Sequence, residues 1–444
     1  MSEFIDMRKF SEKIPAPTKL TMKKTFKRHV LPNGLRVIFV PDSQSLATMV
    51  MVLVEAGSKY ESKELNGLSH FLEHMCFKGT TKRPSPLIIA SELDGLGAQY
   101  NAFTLQEYTN YYAKARNESF DQILDVVADI YLNPTFDPQE IEKEKGVIIE
   151  EINMYEGKLE RKVQDLFGEL LYGDQPAGWP IAGRKEVIQR MAREDFIKYR
   201  NAHYVAPATI VVVAGNFDEG HALDKIAQHF KALSSNPKKG KVSVVESQDS
   251  PSELIHFKDS DQTHLMLGFR AFNVFDDRRF ALDVLSDILG GGMSSRLFQR
   301  IREELGAAYY VGASANLYSD HGDILMAAGI DHKKISEVIK AVLQEFGRFK
   351  DELVGEEELK RAKNHIIGNL YLSLETSDQF GYFYGNQEVM GLPLETPEEL
   401  AARINAVSAK EIQTLARELF ANQTLNLALI GPFKNKSFID ILKV

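Results

Sequence analysis

The order of hydrophobic and polar positions repeats along the chain, and the repeat predicts a duplicated fold. Each half contains a strand-like segment, a charged amphipathic helix, a Tyr-Gly pair and a hydrophobic strand that ends near a glycine. In the first half these are residues 108–113, 138–152, 172–173 and 208–217, and in the second half residues 322–327, 356–370, 384–385 and 425–433. Chance resemblance is the alternative, but four matches in one order favour duplication. We therefore predict the α+β class, with two homologous domains, each a mostly antiparallel sheet covered by helices.

A polar stretch near the middle of the chain predicts a linker between the two halves. Residues 234–252 are rich in serine, proline, glycine and lysine, which disfavour regular structure. We expect an N-terminal domain over residues 25–233 and a C-terminal domain over residues 253–444. The length of 444 residues is sufficient for two domains of ordinary size.

Local patterns in the first half place a helix between strands. Residues 49–56 form an apolar run of strand length, and Asn66-Gly67 precedes a helix that we expect to extend to about residue 78. Residues 98–102 and 107–114 are predicted to form a strand pair around Thr104. The helix carries the first residues with evident chemistry.

The predicted helix contains the sequence His-Phe-Leu-Glu-His at residues 70–74. Residues four apart lie on one face of a helix, so His70 and His74 can share one Zn²⁺. Glu73 lies beside the metal in this spacing, where a carboxylate can take a proton from metal-bound water and return it to a leaving amine. Two unrelated histidines on a helix are the alternative. The pattern arises by chance on the order of 0.02 times in such a chain, so we favour a metal site.

A catalytic zinc site needs a third protein ligand, because three ligands leave one position open. The helix predicted at residues 141–154 offers several glutamates. Glu144 and Glu151 share a face, whereas Glu150 is rotated by about 100° from Glu151. A carboxylate in this apolar stretch is costly to bury without a partner, and a zinc ion is a sufficient partner. A solvated acidic face balanced by lysines is the alternative, and Glu150 stays open as a ligand.

Composition and charge exclude some classes of protein. The formal net charge of −9 argues against a nucleic-acid binder, which usually carries a basic excess. The single cysteine, Cys76, permits no internal disulfide and is expected to pack in the core rather than bind metal. There is no signal-peptide core and no apolar run of about 20 residues, so we expect a cytoplasmic protein without a membrane segment.

Nearly the whole chain resembles the pitrilysin family of zinc peptidases, specifically the short members related to mitochondrial processing peptidase. The resemblance rests on an H-x-x-E-H motif that is followed by a glutamate, here with 76 residues between His74 and Glu151. Residues 70–80 and 142–156 are also close to the family consensus. The resemblance implies a clamshell of two domains with one Zn²⁺ per chain, bound by His70, His74 and Glu151.

The resemblance also implies roles for residues around the metal. Glu73 would be the general base, and Glu144 would hold a ligand in its binding geometry. Residues 100–104 resemble the edge strand that pairs with the backbone of an extended substrate. The substrate-binding residues implied there are Asn101, Ala102 and Phe103.

In the second half, two residues match an arginine and a tyrosine that reach the active site in the family. Arg302 would hold a substrate carbonyl, and Tyr309 would donate a hydrogen bond to the developing oxyanion. A surface charge paired with a neighbouring glutamate is the alternative for Arg302. The second half has no metal motif of its own, since Asn369 stands at the position that matches Glu151.

The resemblance implies a zinc-dependent endopeptidase that acts on peptides or unfolded polypeptide segments. A catalytically silent structural or partner subunit of a peptidase-like complex is the alternative, and the intact motif argues against it. Because the metal motif and the pair Arg302 and Tyr309 occur in one chain, we expect a homodimer or a complete monomer. We expect no nucleic-acid or membrane partner. Family members that favour arginine near the cleaved bond carry acidic residues where this chain has Arg161 and Lys162, so that preference is not carried over.

Overall fold

A computed structural model describes residues 26–444 as two halves of similar architecture. The first half contains β1 (Lys27–Val30), β2 (Arg36–Pro41), β3 (Ala47–Val54), α1 (Leu68–Cys76), α2 (Pro86–Gly95), β4 (Gln99–Thr104), β5 (Thr109–Arg116), α3 (Phe120–Leu132), α4 (Pro138–Gly157), α5 (Leu159–Tyr172), α6 (Lys185–Arg190), α7 (Arg193–His203), β6 (Thr209–Gly215) and α8 (Glu219–His229). The second half contains β7 (Ser252–Phe257), β8 (Thr263–Ala271), α9 (Arg279–Gly290), a π-helix (Phe298–Glu304), β9 (Ala308–Leu317), β10 (Gly322–Ile330), α10 (Ile335–Asp351), α11 (Glu356–Leu372), α12 (Ser377–Val389), α13 (Pro397–Ala406), α14 (Ala409–Leu419) and β11 (Leu425–Gly431). Within this range no helix combines the length and apolar character that a membrane crossing requires.

The two sheets have the same strand order, which confirms the predicted fold class. The first sheet runs β1-β2-β6-β3-β5-β4, and the second runs β7-β11-β8-β10-β9. In each sheet one pair is parallel, β2 with β6 and β7 with β11, and the other pairs are antiparallel. Apart from the additional strand β1, every strand of the first sheet therefore has a counterpart in the second.

Each sheet buries one face on helices of its own half and the other face on a helix from the opposite half. Helix α12 packs on the first sheet, where Tyr384 lies among Ile38, Met49 and other core residues. Helix α5 packs on the second sheet, where Phe167 joins a core cluster with residues of β8, β10 and β11. The halves are thus interlocked, because removing either helix from its partner sheet would expose an apolar face to water.

One of the four matches between the halves was wrong in detail. Tyr172 and Gly173 end α5, where Gly173 has a left-handed φ of +65°, whereas Tyr384 and Gly385 lie inside α12. Gly385 instead permits a close approach to the sheet. A Cβ atom there would lie 3.0 Å from the side chain of Leu53.

A buried group of charged side chains connects the two halves to the predicted linker. The ammonium of Lys59 is fully buried and lies 3.2 Å from Glu107 and beside Asp320 of the β9–β10 turn. Lys241, from the segment predicted as the linker, pairs with both carboxylates. Residues 234–251 have no regular structure, but this ion cluster holds them against both halves.

Candidate metal centre

Helix α1 presents its two histidines on one side and its apolar residues on the other. Phe71 and Leu72 are fully buried in the core of the first half, which fixes the rotation of the helix. His70 and His74 are partly exposed, and their ring centroids are 4.7 Å apart. The helix ends at Cys76, two residues earlier than predicted.

The start of α1 is held by a buried carboxylate that sequence reasoning missed. Glu61 accepts hydrogen bonds from the backbone N–H groups of Gly67 at 2.7 Å and Ser69 at 2.6 Å. These groups have no partner within the helix, so Glu61 acts as its N-terminal cap. Burial raises the pKa of Glu61 to about 7, and these hydrogen bonds oppose the rise.

Helix α4 brings one glutamate to the two histidines. Oε2 of Glu151 lies 3.7 Å from Nε2 of His70 and 3.6 Å from Nε2 of His74. The three ligand atoms all lie within 4.8 Å of one another. Glu150 is exposed on the other side of α4, where it accepts a hydrogen bond from Asn153, and it does not join this group.

The geometry and chemistry of this group fit a zinc ion. Ligands at about 2.0 to 2.1 Å in a tetrahedral site are about 3.4 Å apart, close to the separations found here. Burial and the nearby His74 lower the pKa of His70 to about 4, which keeps its imidazole in the neutral form that binds metal. Nε2 of His70 faces Glu151 and is the atom that could bind a metal, whereas Nδ1 is buried without a hydrogen-bond partner among residues 26–444.

Two residues of α4 orient these side chains. Glu144 lies 2.8 Å from Nδ1 of His74 and also pairs with Lys78 at 2.6 Å. Burial opposes the ionised form of Glu144, but the bonds to His74 and Lys78 prevail and lower its pKa. Tyr155 donates to Oε1 of Glu151 at 2.8 Å, which leaves Oε2 free to face the histidines. Tyr155 was also missed, although its i+4 spacing from Glu151 was visible in the sequence.

Glu73 is buried next to the histidines and is held by one hydroxyl group. Thr104, the last residue of β4, donates to Oε2 of Glu73 at 2.5 Å. Burial raises the pKa of Glu73 to about 7, and the bond from Thr104 limits the rise. Such a carboxyl can exchange protons near neutral pH, which suits a general base.

One cavity of about 620 Å³ is lined by most of these side chains, namely His70, Glu73, His74, Thr104, Glu151 and Tyr155, whereas Glu144 does not line it. The wall of this cavity includes Asn101, Ala102 and Phe103 of β4, the open edge strand of the first sheet. An open edge strand offers unpaired backbone groups to an extended peptide. Arg161 and Lys162 of α5 also line the cavity, so its walls include a helix that covers the second sheet.

Arg302 and Tyr309 lie together but are not among the residues that line this cavity. Nη1 of Arg302 donates to the backbone oxygen of Tyr309 at 3.1 Å, and its guanidinium stacks over the ring of Phe298. Both side chains are exposed. The structure thus brings five of the predicted residues together, His70, Glu73, His74, Glu144 and Glu151, and leaves Arg302 and Tyr309 outside the cavity.

Comparison with known proteins identifies the family of the chain. Residues 36–185 match the family described as insulinase (peptidase family M16), and residues 190–366 match the peptidase M16 inactive domain. A Bacillus subtilis protein named as an uncharacterized zinc protease is 35% identical over 92% of this chain and 99% of its own length. A Rickettsia felis protein of the same name is 36% identical over 94% of this chain and 100% of its own length.

Two solved structures share the fold. A protease from Helicobacter pylori superposes with a TM-score of 0.84 at 22% identity, over 92% of this chain and 100% of that chain. A Pseudomonas fluorescens structure described as a peptidase M16 inactive domain gives 0.86 at 18% identity, over 93% and 99%. At these identities the likeness concerns the fold alone, whereas the sequence matches establish the relationship. The chain therefore belongs to the M16, or insulinase, peptidase family, the pitrilysin-type family that its sequence resembles.

Proposed function

We propose that this protein is a zinc-dependent endopeptidase that hydrolyses peptides or unfolded segments of polypeptide. One observation carries the proposal: His70, His74 and Glu151 form a group that suits zinc in the same cavity as the buried carboxyl of Glu73. The relatives are named as zinc proteases, which supports the same assignment.

Glu73 would act first as a general base and then as a general acid. Bound zinc would supply Lewis acidity, which polarises a substrate carbonyl and lowers the pKa of a water molecule. Glu73 would take a proton from the attacking water, and Thr104 holds the carboxylate in position for this step. The same carboxyl would then deliver the proton to the nitrogen of the cleaved bond.

The edge strand β4 would hold the substrate in an extended conformation. Backbone pairing along Asn101, Ala102 and Phe103 selects chain conformation rather than side-chain identity. This favours unfolded segments, because most backbone groups of a folded protein are already paired within its own secondary structure.

Metal analysis tests the ligand set with a matched pair of variants. The purified wild-type chain should contain about one zinc ion, and Glu151→Gln should lose most of it. Glu150→Gln is the control, because Glu150 is a neighbouring but exposed residue of α4, and it should retain zinc. Loss of zinc from Glu150→Gln alone would show that the ligand assignment is wrong.

Peptide cleavage tests the role of Glu73. Glu73→Gln should retain zinc but lose activity by roughly 10² to 10⁴-fold, as expected for loss of a general base. Glu64→Gln, an exposed carboxylate that precedes α1, should keep full activity. A wild-type chain that binds zinc but cleaves no peptide of a diverse library would support the silent-subunit alternative instead.

We also propose that the protein is a homodimer in which Arg302 and Tyr309 of each chain complete the cavity of the other. The support is that this pair lies outside the cavity of its own chain, although the family resemblance implies that it contacts substrate. Both residues are exposed and thus accessible to a second copy.

Complementation tests the exchange of residues between chains. Glu73→Gln and Arg302→Ala chains should each be inactive alone, since every site lacks one group. After mixing, a random half of the dimers would contain one complete site, which gives about a quarter of wild-type activity. If light scattering shows that the mixture is dimeric but peptidase activity does not recover, the two chains do not share residues between their sites.

A further inference from the structure

The second half retains a cavity at the position that corresponds to the metal cavity. By sheet order and chain order, α1, β4, α4 and α5 of the first half match α9, β9, α11 and α12 of the second. The metal cavity is lined by residues of the first set. A second cavity, of about 650 Å³, is lined by residues of the second set. Duplication of the fold has therefore preserved a space of similar size in each half.

The residues at the metal positions have changed in the second half. His70 and His74 are the two partly exposed positions between buried residues of α1, and Asp283 and Asp287 have the same pattern and spacing on α9. Asn369 of α11 stands where α4 supplies its glutamate. Among the described residues, these side chains are not part of a group whose ligand atoms lie close enough together to hold one metal ion.

The walls of the second cavity are largely apolar. They include Leu317 of β9, Ile366 and Leu370 of α11 and Tyr382 of α12. A preformed apolar cavity of several hundred Å³ with few polar groups is the usual form of a ligand site. Apolar side chains would gain free energy by entering it from water.

Three charged residues also line this cavity, and Asp283 differs from the other two, Arg279 and Glu395, in its lack of a partner. The carboxylate of Asp283 has no hydrogen-bond or ion-pair partner among residues 26–444, whereas Asp287 contacts His365 at 2.7 Å. Arg279, one turn earlier on α9, is already paired with Glu395 at 3.1 Å. Burial raises the pKa of Asp283 to about 6, and Arg279 only partly offsets this. An unpaired carboxylate on an apolar wall is costly, and a cation would remove that cost.

We propose that the second cavity is a binding site for a peptide segment in which apolar residues flank one lysine or arginine, whose cation pairs with Asp283. The apolar walls would take the flanking side chains, and the carboxylate selects a positive charge over a neutral or negative one. The proposal does not depend on peptide hydrolysis, because none of its residues belongs to the metal centre.

A peptide is favoured over a small molecule by the position of the cavity. Phe103 of β4 stacks against Tyr382, with ring centroids 6.5 Å apart, and Tyr108 contributes to the cavity wall. Phe103, which also lines the first cavity, therefore lies beside a wall of this second cavity. A chain that extends from the edge of β4 would have its next residues within reach of the apolar walls.

Binding of two matched peptides tests the site. Acetyl-Leu-Phe-Lys-Leu-amide and the same peptide with norleucine in place of lysine differ only in the charged group. Their affinities are measured on the full-length chain with zinc removed by a chelator, so that no peptide is cleaved. We expect the lysine peptide to bind about tenfold more tightly, as for one charge-assisted hydrogen bond.

Variants assign this preference to Asp283. Asp283→Asn, which keeps the shape of the side chain, should bind both peptides equally, whereas Asp277→Asn should keep the preference, since the Asp277 side chain is 89% exposed. Leu370→Trp, at a partly exposed wall position, should weaken binding of both peptides. Equal affinities for wild type, or an unchanged preference in Asp283→Asn, would overturn the proposal. So would photo-crosslinking of the lysine peptide to α1 or α4 instead of α11 or α12.

Discussion

Glu151 divides its two carboxylate oxygens between two tasks. Oε1 accepts a hydrogen bond from Tyr155, and Oε2 faces the two histidines. At the scale of single residues, the candidate metal centre therefore depends on side chains that would not touch the metal themselves. In the same way, Thr104 donates a hydrogen bond that orients Glu73, and Glu144 forms a hydrogen bond with Nδ1 of His74 that orients its ring. Such partners set the orientation of a ligand or base and so its effective affinity or reactivity.

Removal of one such partner should weaken zinc binding without abolishing it. Tyr155→Phe deletes the hydrogen bond to Glu151 but keeps the ring, so we expect zinc affinity to fall by roughly 10 to 100-fold. Competition with a fluorescent chelator measures the change. Tyr371→Phe, at an exposed position of α11, is the control and should bind zinc like the wild type.

A buried carboxyl in the second sheet should make stability depend on pH. Burial raises the pKa of Asp323 to about 7, although Asn316 donates a hydrogen bond to it. The unfolded carboxyl titrates near 4, so the folded state binds the extra proton between these values and loses stability as the pH rises. The loss is about 1.4 kcal/mol per pH unit at most. Asp323→Asn should remove it.

Thermal unfolding at pH 5 and pH 8 measures this effect. The melting temperature of Asp323→Asn relative to wild type should be higher at pH 8 than at pH 5. Asp259→Asn, an exposed carboxylate before β8, should show no such change. If the melting temperatures of Asp323→Asn and wild type differ by the same amount at pH 5 and pH 8, Asp323 does not titrate in this range.

At the scale of elements, the exchange of α5 and α12 decides how the halves pack. Helix α12 covers the first sheet, and its close approach depends on the absence of side chains at Gly381 and Gly385. Glycine is a poor helix former, so its presence inside α12 is explained by packing rather than by helix propensity.

Two glycine substitutions separate packing from propensity. Gly385→Ala would place a Cβ 3.0 Å from Leu53 and 3.2 Å from Val212, so we expect a loss of about 1 to 3 kcal/mol from the free energy of unfolding. Gly368→Ala in α11 meets no atom within 4 Å and should stabilise the protein by up to about 1 kcal/mol. Denaturant unfolding measures both. A stabilised Gly385→Ala would show that the helix tolerates a larger distance from the sheet.

At the scale of the whole molecule, the buried ion cluster connects the first half, the second half and the segment between them. Glu107 follows β4 and accepts hydrogen bonds from the backbone and hydroxyl of Ser319 as well as from the two lysines. The cluster therefore fixes the second half relative to the strand that carries Thr104. Buried charges of this kind are stable only while every member keeps its partners.

Loss of one member should be far more costly than loss of an exposed pair. Lys59→Met leaves Asp320 with fewer partners and should lower the free energy of unfolding by about 3 to 5 kcal/mol. Lys63→Met breaks the exposed pair with Asp174 and should cost less than about 1 kcal/mol. Chemical denaturation of both variants measures these losses. If both variants lose less than about 1 kcal/mol from the free energy of unfolding, the ion cluster does not stabilise the contact between the halves.

The sequence alone determined the parts of this protein that depend on local geometry. The spacing of His70 and His74 predicts a shared helix face, because the period of a helix is a property of the backbone. The repeated hydrophobic order predicts two similar halves, because strands and helices must each bury an apolar side. Both predictions agree with the structure. The comparison with known proteins confirms the family that the motif indicated.

Only the tertiary structure decided which distant groups meet. It brings Glu151 rather than Glu150 to the histidines and Thr104 to Glu73, and it leaves Arg302 outside the cavity. It also gives each sheet a helix from the opposite half, which no local pattern indicates. These outcomes depend on how elements pack across long sequence separations. Side-chain periodicity specifies which face of an element is apolar, but not which partner covers it.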